Sequence, residues 1–244
     1  MKMSDKELKE ARENNFNCDE GHLGGYIRAS PEPAPSGLKI EHGDPATWTP
    51  KLWLWAHDVL GIRSVLDVGC AEGHCARFFQ GLGCDVLGID GSVQAKRDSV
   101  IPDCHREHDF VSGPYELNRP FDLVWSCEFV EHVEEQYCDN FLSTFRYSQK
   151  YIMMTYADHG QPGWHHVNCQ PESYWIEKLE QNGFKFDPEL TKESRSQANA
   201  DIIIVKGWYS WQTRNNEANF LTQTYETTKK YSGSRTIHWV QTFF

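Results

Sequence analysis

The fold of this chain is decided by the stretch Ser64-Val65-Leu66-Asp67-Val68-Gly69-Cys70-Ala71-Glu72-Gly73-His74. Its apolar start predicts a short buried strand, and the glycines that follow predict a tight turn. The next residues, Cys75 to Gln80, have helical character. A strand, a tight turn and a helix N-terminus together present backbone N–H groups to a nucleotide-like ligand. The stretch therefore predicts the first half of a ligand-binding α/β unit.

A second apolar run, Asp85-Val86-Leu87-Gly88-Ile89, ends in Asp90. An acid about 20 residues beyond a glycine turn is placed to accept hydrogen bonds from a ribose diol. A dinucleotide-binding turn would read Gly-x-Gly-x-x-Gly. In this chain the turn reads Asp67-x-Gly69-x-Ala71-x-Gly73. This pattern disfavours a nicotinamide-binding oxidoreductase. The alternative to a ligand-binding turn is the glycine turn of an ordinary αβ unit.

That spacing, with an acid closing the first strand, resembles motif I of the class I S-adenosylmethionine (SAM) methyltransferases. The resemblance extends from Val65 to Phe184, with the further strands and the late helix in the order that the family shows. It implies SAM as cofactor and an α/β, doubly wound, Rossmann-like sheet of seven strands, mostly parallel with an antiparallel last strand and helices on both faces. The family usually has glycine where Ala71 stands, so a slightly altered turn is expected.

The same resemblance implies a set of cofactor-binding residues at the strand ends. The family often places an acid against the adenine amino group where this chain has His108-Asp109-Phe110. The run from Phe121 to Glu128 is identified with the fourth strand and its exit toward the methyl-transfer site. The expected cofactor-binding residues are Asp67, Gly69, Cys70, Ala71, Gly73, Asp90, Gly91, Asp109, Phe110 and Ser126.

Composition and charge limit the class of protein. The 244 residues, 39% of them hydrophobic, suit one elaborated α/β domain. A net charge of −11 argues against a broad nucleic-acid or anionic-membrane surface. No apolar run is long enough to span a bilayer, no signal-peptide pattern is present, and the eight cysteines form no CxxC pair. We therefore expect a cytoplasmic protein with reduced thiols that acts on a small molecule.

Two regions depart from the alternation of strands and helices. Residues 1–49 are predicted to form an N-terminal tail, whose glycine- and histidine-bearing part is either a lid over the cofactor pocket or a surface loop. The SAM-binding domain is expected over 50–244, beginning with a helix that Thr49-Pro50 opens. Within it, residues 187–234 are predicted to be an insertion that caps the substrate site, with a purely structural flap as the alternative. Further strands are expected at 201–205 and 236–244.

The richest chemical cluster is Glu128-Phe129-Val130-Glu131-His132-Val133. If Glu128 begins the helix after the fourth strand, Glu128, Glu131 and His132 share one helix face. That face would lie at the carboxyl end of the sheet, where ligands bind in such folds. Carboxylates favour Mg²⁺ or Mn²⁺ and imidazole admits Zn²⁺ or Fe²⁺, so a divalent cation is a possible occupant. His165 and His166 are placed to close the site.

The pattern Glu-x-x-Glu-His with a later histidine resembles two metal-assisted branches of this superfamily, the ubiquinone-biosynthesis O-methyltransferases and the small-RNA terminal 2′-O-methyltransferases. The resemblance implies Glu128, Glu131, His132 and His166 as metal ligands, with His165 as the substitute for His166. Relatives with Glu-His-Val that need no metal keep a second hypothesis open. In it His132 is a general base, and His165 or His166 assists catalysis.

The sequence thus predicts a SAM-dependent methyltransferase that acts on a hydroxyl of a small oxygen-rich molecule or glycan. Such an enzyme works largely by orienting and deprotonating the acceptor. Terminal 2′-O-methylation of RNA is the alternative within the enzyme class, and the acidic charge disfavours it. A SAM-binding interaction module without catalysis is the alternative from another class.

Overall fold

The computed structural model of the chain describes residues 39–198 continuously, together with 21–30 and the short pieces 6, 9, 16–17, 32–33 and 209–213. The strands predicted at 201–205 and 236–244, and most of the predicted tail, lie outside these residues. In the described part of the chain, no helix has both the length and the apolar character needed to cross a membrane.

A mostly parallel sheet forms the centre of the fold. Its parallel strands are β3 (Ser64–Val68), β4 (Asp85–Asp90), β5 (His105–Glu107), β6 (Phe121–Ser126) and β7 (Ser148–Met154). Two further strands, β8 (Phe184–Phe186) and β9 (Tyr209–Thr213), extend it through antiparallel pairs. The spatial order is β5-β4-β3-β6-β7-β9-β8. A separate two-residue ladder joins β1 (Phe16–Asn17) to β2 (Tyr26–Ile27).

Within the described residues 39–198, six α-helices connect the strands. They are α1 (Pro50–Asp58), α2 (His74–Gly81), α3 (Val93–Arg97), α4 (Cys138–Phe145), α5 (Glu172–Gln181) and α6 (Pro188–Gln197). Single 3₁₀ turns lie at Gly21–Leu23, Pro102–Cys104, Phe110–Ser112, Val130–His132 and Glu135–Tyr137.

The strands bury both of their faces, because successive side chains point to opposite sides of the sheet. On β6, Leu123 and Trp125 belong to one hydrophobic core and Val124 to the other. Helices α1, α2 and α6 contribute to the first core, and α4 and α5 contribute to the second. Helices therefore cover both faces, as in a doubly wound sheet.

The predicted α/β class and mostly parallel sheet are confirmed. Five of the described strands pair in parallel, and β8 and β9 join them through antiparallel pairs. The antiparallel strand β9 lies inside the segment that was expected to be an insertion. Helix α6 lies there too. Its start follows from the local sequence, because Pro188 suits the first position of a helix and the Asp187 side chain accepts a hydrogen bond from the Leu190 N–H. Leu190 is buried in the first core. In its described residues, 187–198 and 209–213, this segment adds α6 to the first core and β9 to the sheet. The rest of the predicted insertion lies outside the described residues.

Gly73 and Gly83 give a matched test of how tightly the turn after β3 is packed. Both are left-handed, with φ of +87° and +83°. A Cβ on Gly73 would come 2.5 Å from the Ile101 side chain, whereas a Cβ on Gly83 would meet nothing within 4 Å. Gly83→Ala should cost about 1–2 kcal/mol of unfolding free energy. Gly73→Ala should cost about 1–3 kcal/mol more, because it also overpacks the core.

Urea denaturation of the two variants and the parent protein measures the difference. Equal losses of unfolding free energy in the two variants would contradict the packing argument.

Candidate active site

A cavity of about 780 Å³ opens where β3, β4 and β6 end. Asp67 and the turn after it, Asp90 at the end of β4, and Cys127 after β6 all line it. The neighbours β4 and β6 lie on opposite sides of β3, so this is the point where the strand order reverses. Ligands of open α/β sheets bind at such a point, in cavities of about 300–1,000 Å³.

Backbone hydrogen bonds fasten the turn after β3 to β4. The Gly69 and Cys70 N–H groups donate to the Ile89 carbonyl at 2.9 and 3.1 Å. The Ala71 N–H donates to one Asp90 carboxylate oxygen at 2.7 Å. Ala71 has a left-handed φ of +46°, which costs an alanine about 1–2 kcal/mol, so the turn is strained where relatives have glycine.

Asp90 is oriented by main-chain donors on both sides. Its second carboxylate oxygen accepts from the Ser92 N–H at 2.9 Å. Each carboxylate oxygen has two lone pairs. The side chain also lines the cavity, so a carboxylate lies at the end of β4 on the cavity wall.

Asp67 is a buried carboxyl on the wall of the cavity, with 3% of its surface exposed. Burial raises its pKa from 3.8 to about 7, and the nearby charge of Asp90 adds to the increase. A hydrogen bond from the Ala76 N–H at 3.2 Å opposes the increase. A cationic ligand beside this carboxyl would favour its ionised form.

A second cavity, of about 50 Å³, adjoins the first beyond Asp90. Gly91, Asp109 and Phe110, three of the predicted cofactor-binding residues, line it. Asp109 accepts a hydrogen bond from the Val111 N–H at 2.9 Å through one oxygen. Its other oxygen lies 2.6 Å from Nε2 of His22.

Two of the predicted cofactor-binding residues line neither cavity. The Ser126 side chain is fully buried, and its hydroxyl donates to the Val68 carbonyl at 3.0 Å. It therefore joins β3 to β6. Gly73 precedes α2 and packs against Ile101. Both residues thus support the framework of the site.

Glu131, His132 and His166 lie together, each with a ligand atom within 4.8 Å of the others. Glu131 is fully buried, and neither of its carboxylate oxygens has a hydrogen-bond partner among the described residues. Nδ1 of His132 lies 3.2 Å from the His165 carbonyl, and Nδ1 of His166 lies 3.2 Å from the Gln161 carbonyl. A carbonyl oxygen only accepts, so both Nδ1 atoms donate; in the neutral His132 imidazole, Nε2 then keeps a lone pair.

The loop that carries His166 is fastened to the cluster. The Val167 and Asn168 N–H groups donate to the Glu131 carbonyl at 3.0 and 3.1 Å. A Cβ on Gly163 would collide with the His166 imidazole. A glycine at this position therefore allows His166 to reach the cluster.

Glu128 does not belong to the cluster, and the predicted shared helix face is wrong. Glu128 has a left-handed φ of +50°, and the chain then makes a single 3₁₀ turn over Val130–His132. The Thr155 hydroxyl holds it outside that turn. This hydroxyl accepts from the Glu128 N–H at 2.7 Å and donates to its carboxylate at 3.1 Å. Glu128 still lines the cavity.

His165 is not a substitute for His166 in this arrangement. It has a φ of +50°, and its buried Nε2 has no hydrogen-bond partner among the described residues. It contributes to the cluster through its carbonyl, which orients His132.

Burial sets the ionisation of the cluster. It raises the pKa of Glu131 well above its usual range, and the charge of Glu128 adds to the increase. It lowers the pKa of His132 to about 4, and His166 adds to the decrease. His132 is therefore a neutral imidazole at pH 7, which is the form that binds a metal or accepts a proton.

Sequence reasoning missed one wall of the cavity. His42 stacks on Trp48 with ring centroids 3.9 Å apart, and both side chains line the cavity. His74 also lines it, and Nε2 of this residue lies 3.0 Å from the buried Glu72 carboxylate. The sequence offered one signal for this wall, which was an acid and a histidine within the motif after β3, Glu72 and His74.

Known proteins resemble the chain over most of its described length. Residues 25–192, more than half of the chain, match the family described as a methyltransferase domain. The ubiquinone biosynthesis O-methyltransferases of Paraburkholderia phytofirmans and Burkholderia orbicola are 34% and 33% identical over 93 and 91 residues. These matches cover 34% and 33% of this chain, and 39% and 38% of those proteins. The aligned part thus spans about two fifths of the length of these relatives.

Solved structures of methyltransferases resemble it at low identity. The 1,6-didemethyltoxoflavin-N1-methyltransferase of Burkholderia thailandensis is 14% identical with a TM-score of 0.49, over 69% of this chain and 78% of that one. The magnesium protoporphyrin IX methyltransferase of Synechocystis is 18% identical with a TM-score of 0.45, over 56% and 66%.

The raised pKa of Asp67 predicts how stability depends on pH. Asp67 titrates near 3.8 in the unfolded chain and near 7 in the folded one. Between these values only the folded state keeps the proton, and the bound proton stabilises it. The contribution of Asp67 to the free energy of unfolding is therefore fully present below pH 4 and is lost as the pH rises to about 7. Asp67→Asn stays neutral. From pH 5 to 8 its Tm should rise by several °C relative to the parent protein, since about 1 kcal/mol corresponds to 2–4 °C at this size.

Calorimetric scans across pH, without ligand, measure this difference. Asp139→Asn, at a carboxyl that is 85% exposed, is the matched control. Parallel pH profiles for Asp67→Asn and the parent would refute the argument.

Proposed function

The chain belongs to the methyltransferase domain family, and from this premise we propose that it transfers a methyl group from SAM to a hydroxyl of a small oxygen-rich molecule or glycan. One observation carries the proposal. A single cavity joins two carboxylates suited to the cofactor, Asp67 and Asp90, to the neutral imidazole of His132.

The cofactor half of the cavity fits the groups of SAM. Asp90 lines this half of the cavity at the end of β4, where an acid is placed to accept hydrogen bonds from a ribose diol. The buried Asp67 suits the positive charges of the sulfonium and the amino group, since a neighbouring cation offsets the cost of its ionised form. The resemblance to the family supports Asp109 and Phe110 as the residues beside the adenine. When bound, SAM supplies the methyl group on its sulfonium.

The acceptor half of the cavity offers a proton acceptor. Nε2 of His132 has a lone pair, because the His165 carbonyl holds the proton on Nδ1. In the proposed reaction Nε2 accepts the proton of the acceptor hydroxyl while that oxygen is aligned with the methyl carbon. The His165 carbonyl also stabilises the positive charge that His132 then acquires. Orientation and deprotonation supply the catalysis.

Glu131, His132 and His166 also fit a divalent cation. The buried Glu131 side chain has no hydrogen-bond partner among the described residues, and its ionised form is costly there unless a positive charge offsets it. The imidazoles of His132 and His166 lie beside it. One carboxylate with two imidazoles suits Mn²⁺, Fe²⁺ or Zn²⁺ better than Mg²⁺, which prefers oxygen ligands. When bound, such a cation would lower the pKa of the acceptor hydroxyl. The metal-free alternative, His132 as a base alone, is tested below.

The charge of the cavity disfavours RNA as the acceptor. Among the described residues, those that line the cavity include Asp44, Asp67, Glu72, Asp90 and Glu128, but no lysine or arginine. A phosphate backbone is normally held by cationic side chains. A neutral acceptor with several hydroxyls suits this lining.

The cofactor assignment predicts binding of S-adenosylhomocysteine (SAH) with a dissociation constant near micromolar, about −8 kcal/mol. Asp90→Ala should weaken it by about 1–3 kcal/mol, because the diol loses its acceptor. Asp85→Ala, at the opposite end of β4, should leave it unchanged. Isothermal titration calorimetry measures both. Binding of NAD without binding of SAH would overturn the proposed function.

The metal assignment predicts that Mn²⁺ binds at the cluster. Crystals soaked in Mn²⁺ should show an anomalous peak between Glu131, His132 and His166, and Glu131→Gln should abolish it. Gly163→Ala should weaken Mn²⁺ binding by displacing His166, whereas Gly160→Ala in the same loop meets nothing within 4 Å and should not. SAH affinity should stay within about twofold in Glu131→Gln, because the cluster faces the acceptor.

A panel of catechols and glycosides, assayed for SAH release from SAM, separates the metal from the base hypothesis. Chelation should abolish turnover if the cation takes part. Full turnover after chelation, with His132→Ala inactive, would refute the metal and leave His132 as the base.

A further inference from the structure

Residues 21–29, here called the strap, line the cavity through Leu23, Tyr26 and Ile27 and contact residues of the site at three places. At one end, His22 lies 2.6 Å from Asp109. In the middle, Gly24 packs against His132. At the other end, the Ala29 N–H donates to the buried Glu72 carboxylate at 2.8 Å. The strap is thus anchored to the residues of both the proposed cofactor end and the proposed acceptor end.

The strap reaches the sheet only because two positions lack a side chain. A Cβ on Gly91 would come 2.6 Å from a methyl carbon of Leu23, so Leu23 lies directly over the residue that follows Asp90. A Cβ on Gly24 would come 2.8 Å from Nδ1 of His132. Gly24 and Gly25 both have a φ of +76°, which turns the strap inward between these contacts.

The small cavity under the strap combines apolar side chains with polar ones. Leu23 lies on the strap side and Phe110 and Phe129 on the sheet side. The polar side chains are three carboxylates, Asp90, Asp109 and Glu134, and three imidazoles, His22, His108 and His132. The aliphatic and aromatic side chains can cover the apolar face of a ring, and a carboxylate can accept a hydrogen bond from an amino group on that ring.

We propose that the strap completes the adenosine subsite, with Leu23 covering the purine ring and His22 positioning Asp109. This inference rests on the proposed function. One Asp109 oxygen accepts a hydrogen bond from the Val111 N–H, and the other oxygen forms a hydrogen bond with His22. A carboxylate has about four lone-pair sites, so a further one accepts the adenine amino group. His22 does not displace the purine, and it fixes the carboxylate that recognises it.

The proposal has a kinetic consequence. A cofactor beneath the strap leaves only when the His22–Asp109 and Leu23–Gly91 contacts separate. Weakening either contact should therefore act mainly on the dissociation rate, as most changes within one interface do.

Stopped-flow binding of SAH and of 5′-methylthioadenosine tests the proposal. The second probe contains the adenosine but lacks the amino-acid end. Leu23→Ala and His22→Ala should raise the Kd of both probes about tenfold, mostly through faster dissociation. His57→Ala removes a histidine that lies 2.6 Å from Asp58, outside both cavities, and should change neither Kd. His22→Gln keeps a hydrogen-bond donor and should restore most of the affinity.

The outcomes separate the strap from the proposed function. If the parent protein binds neither probe, the proposed function fails, and the strap assignment with it. If the parent binds SAH but Leu23→Ala and His22→Ala bind it equally well or more tightly, only the strap assignment fails. Thermal unfolding of each variant identifies a loss of fold, and a His22→Ala protein with a parental Tm and a tenfold higher Kd supports the proposal.

Discussion

A hydrogen bond between the Ala71 N–H and the Asp90 carboxylate holds the site together. It ties the turn after β3 to the end of β4, and it uses the one conformation, a left-handed residue 71, that aims this N–H at β4. The turn then begins α2 at His74 and leaves Asp67 buried beneath it. Strain at Ala71 is thus offset by a charge-assisted hydrogen bond, which is stronger than a neutral one.

The two halves of the cavity share one physical strategy, which is to bury a carboxyl without a full set of partners. Asp67 has one backbone donor, and Glu131 has none among the described residues. Such groups lower the stability of a fold, and proteins keep them where a ligand supplies the missing charge. The sulfonium and amino group would do so for Asp67, and a cation or the acceptor proton would do so for Glu131. The two destabilising carboxyls, Asp67 and Glu131, therefore lie where the proposed function requires a ligand.

Local patterns in the sequence predicted the framework well. Alternating apolar residues in β3 and β4 and the Pro50 start of α1 follow from rules that act over a few residues. The same rules failed after β6, where a helix was expected to align Glu128 with Glu131 and His132. Glu128 instead adopts a left-handed conformation held by Thr155, which is 27 residues away. At 187–198 the structure has helix α6, which packs into the first core through Leu190. That burial depends on contacts with distant parts of the chain, which local rules do not describe.

The sequence by itself determined the α/β class, the methyltransferase family and the carboxylates at the two strand ends, because these depend on spacing within one β-turn-α unit. Only the tertiary structure decided which side chains meet. His132 and His166 are 34 positions apart, and they come together because the loop amides of Val167 and Asn168 bind the Glu131 carbonyl and because Gly163 leaves room for a ring. His22 and Asp109 are 87 positions apart. Contacts of this kind depend on how the chain folds back onto the sheet edge, and no local pattern encodes that path.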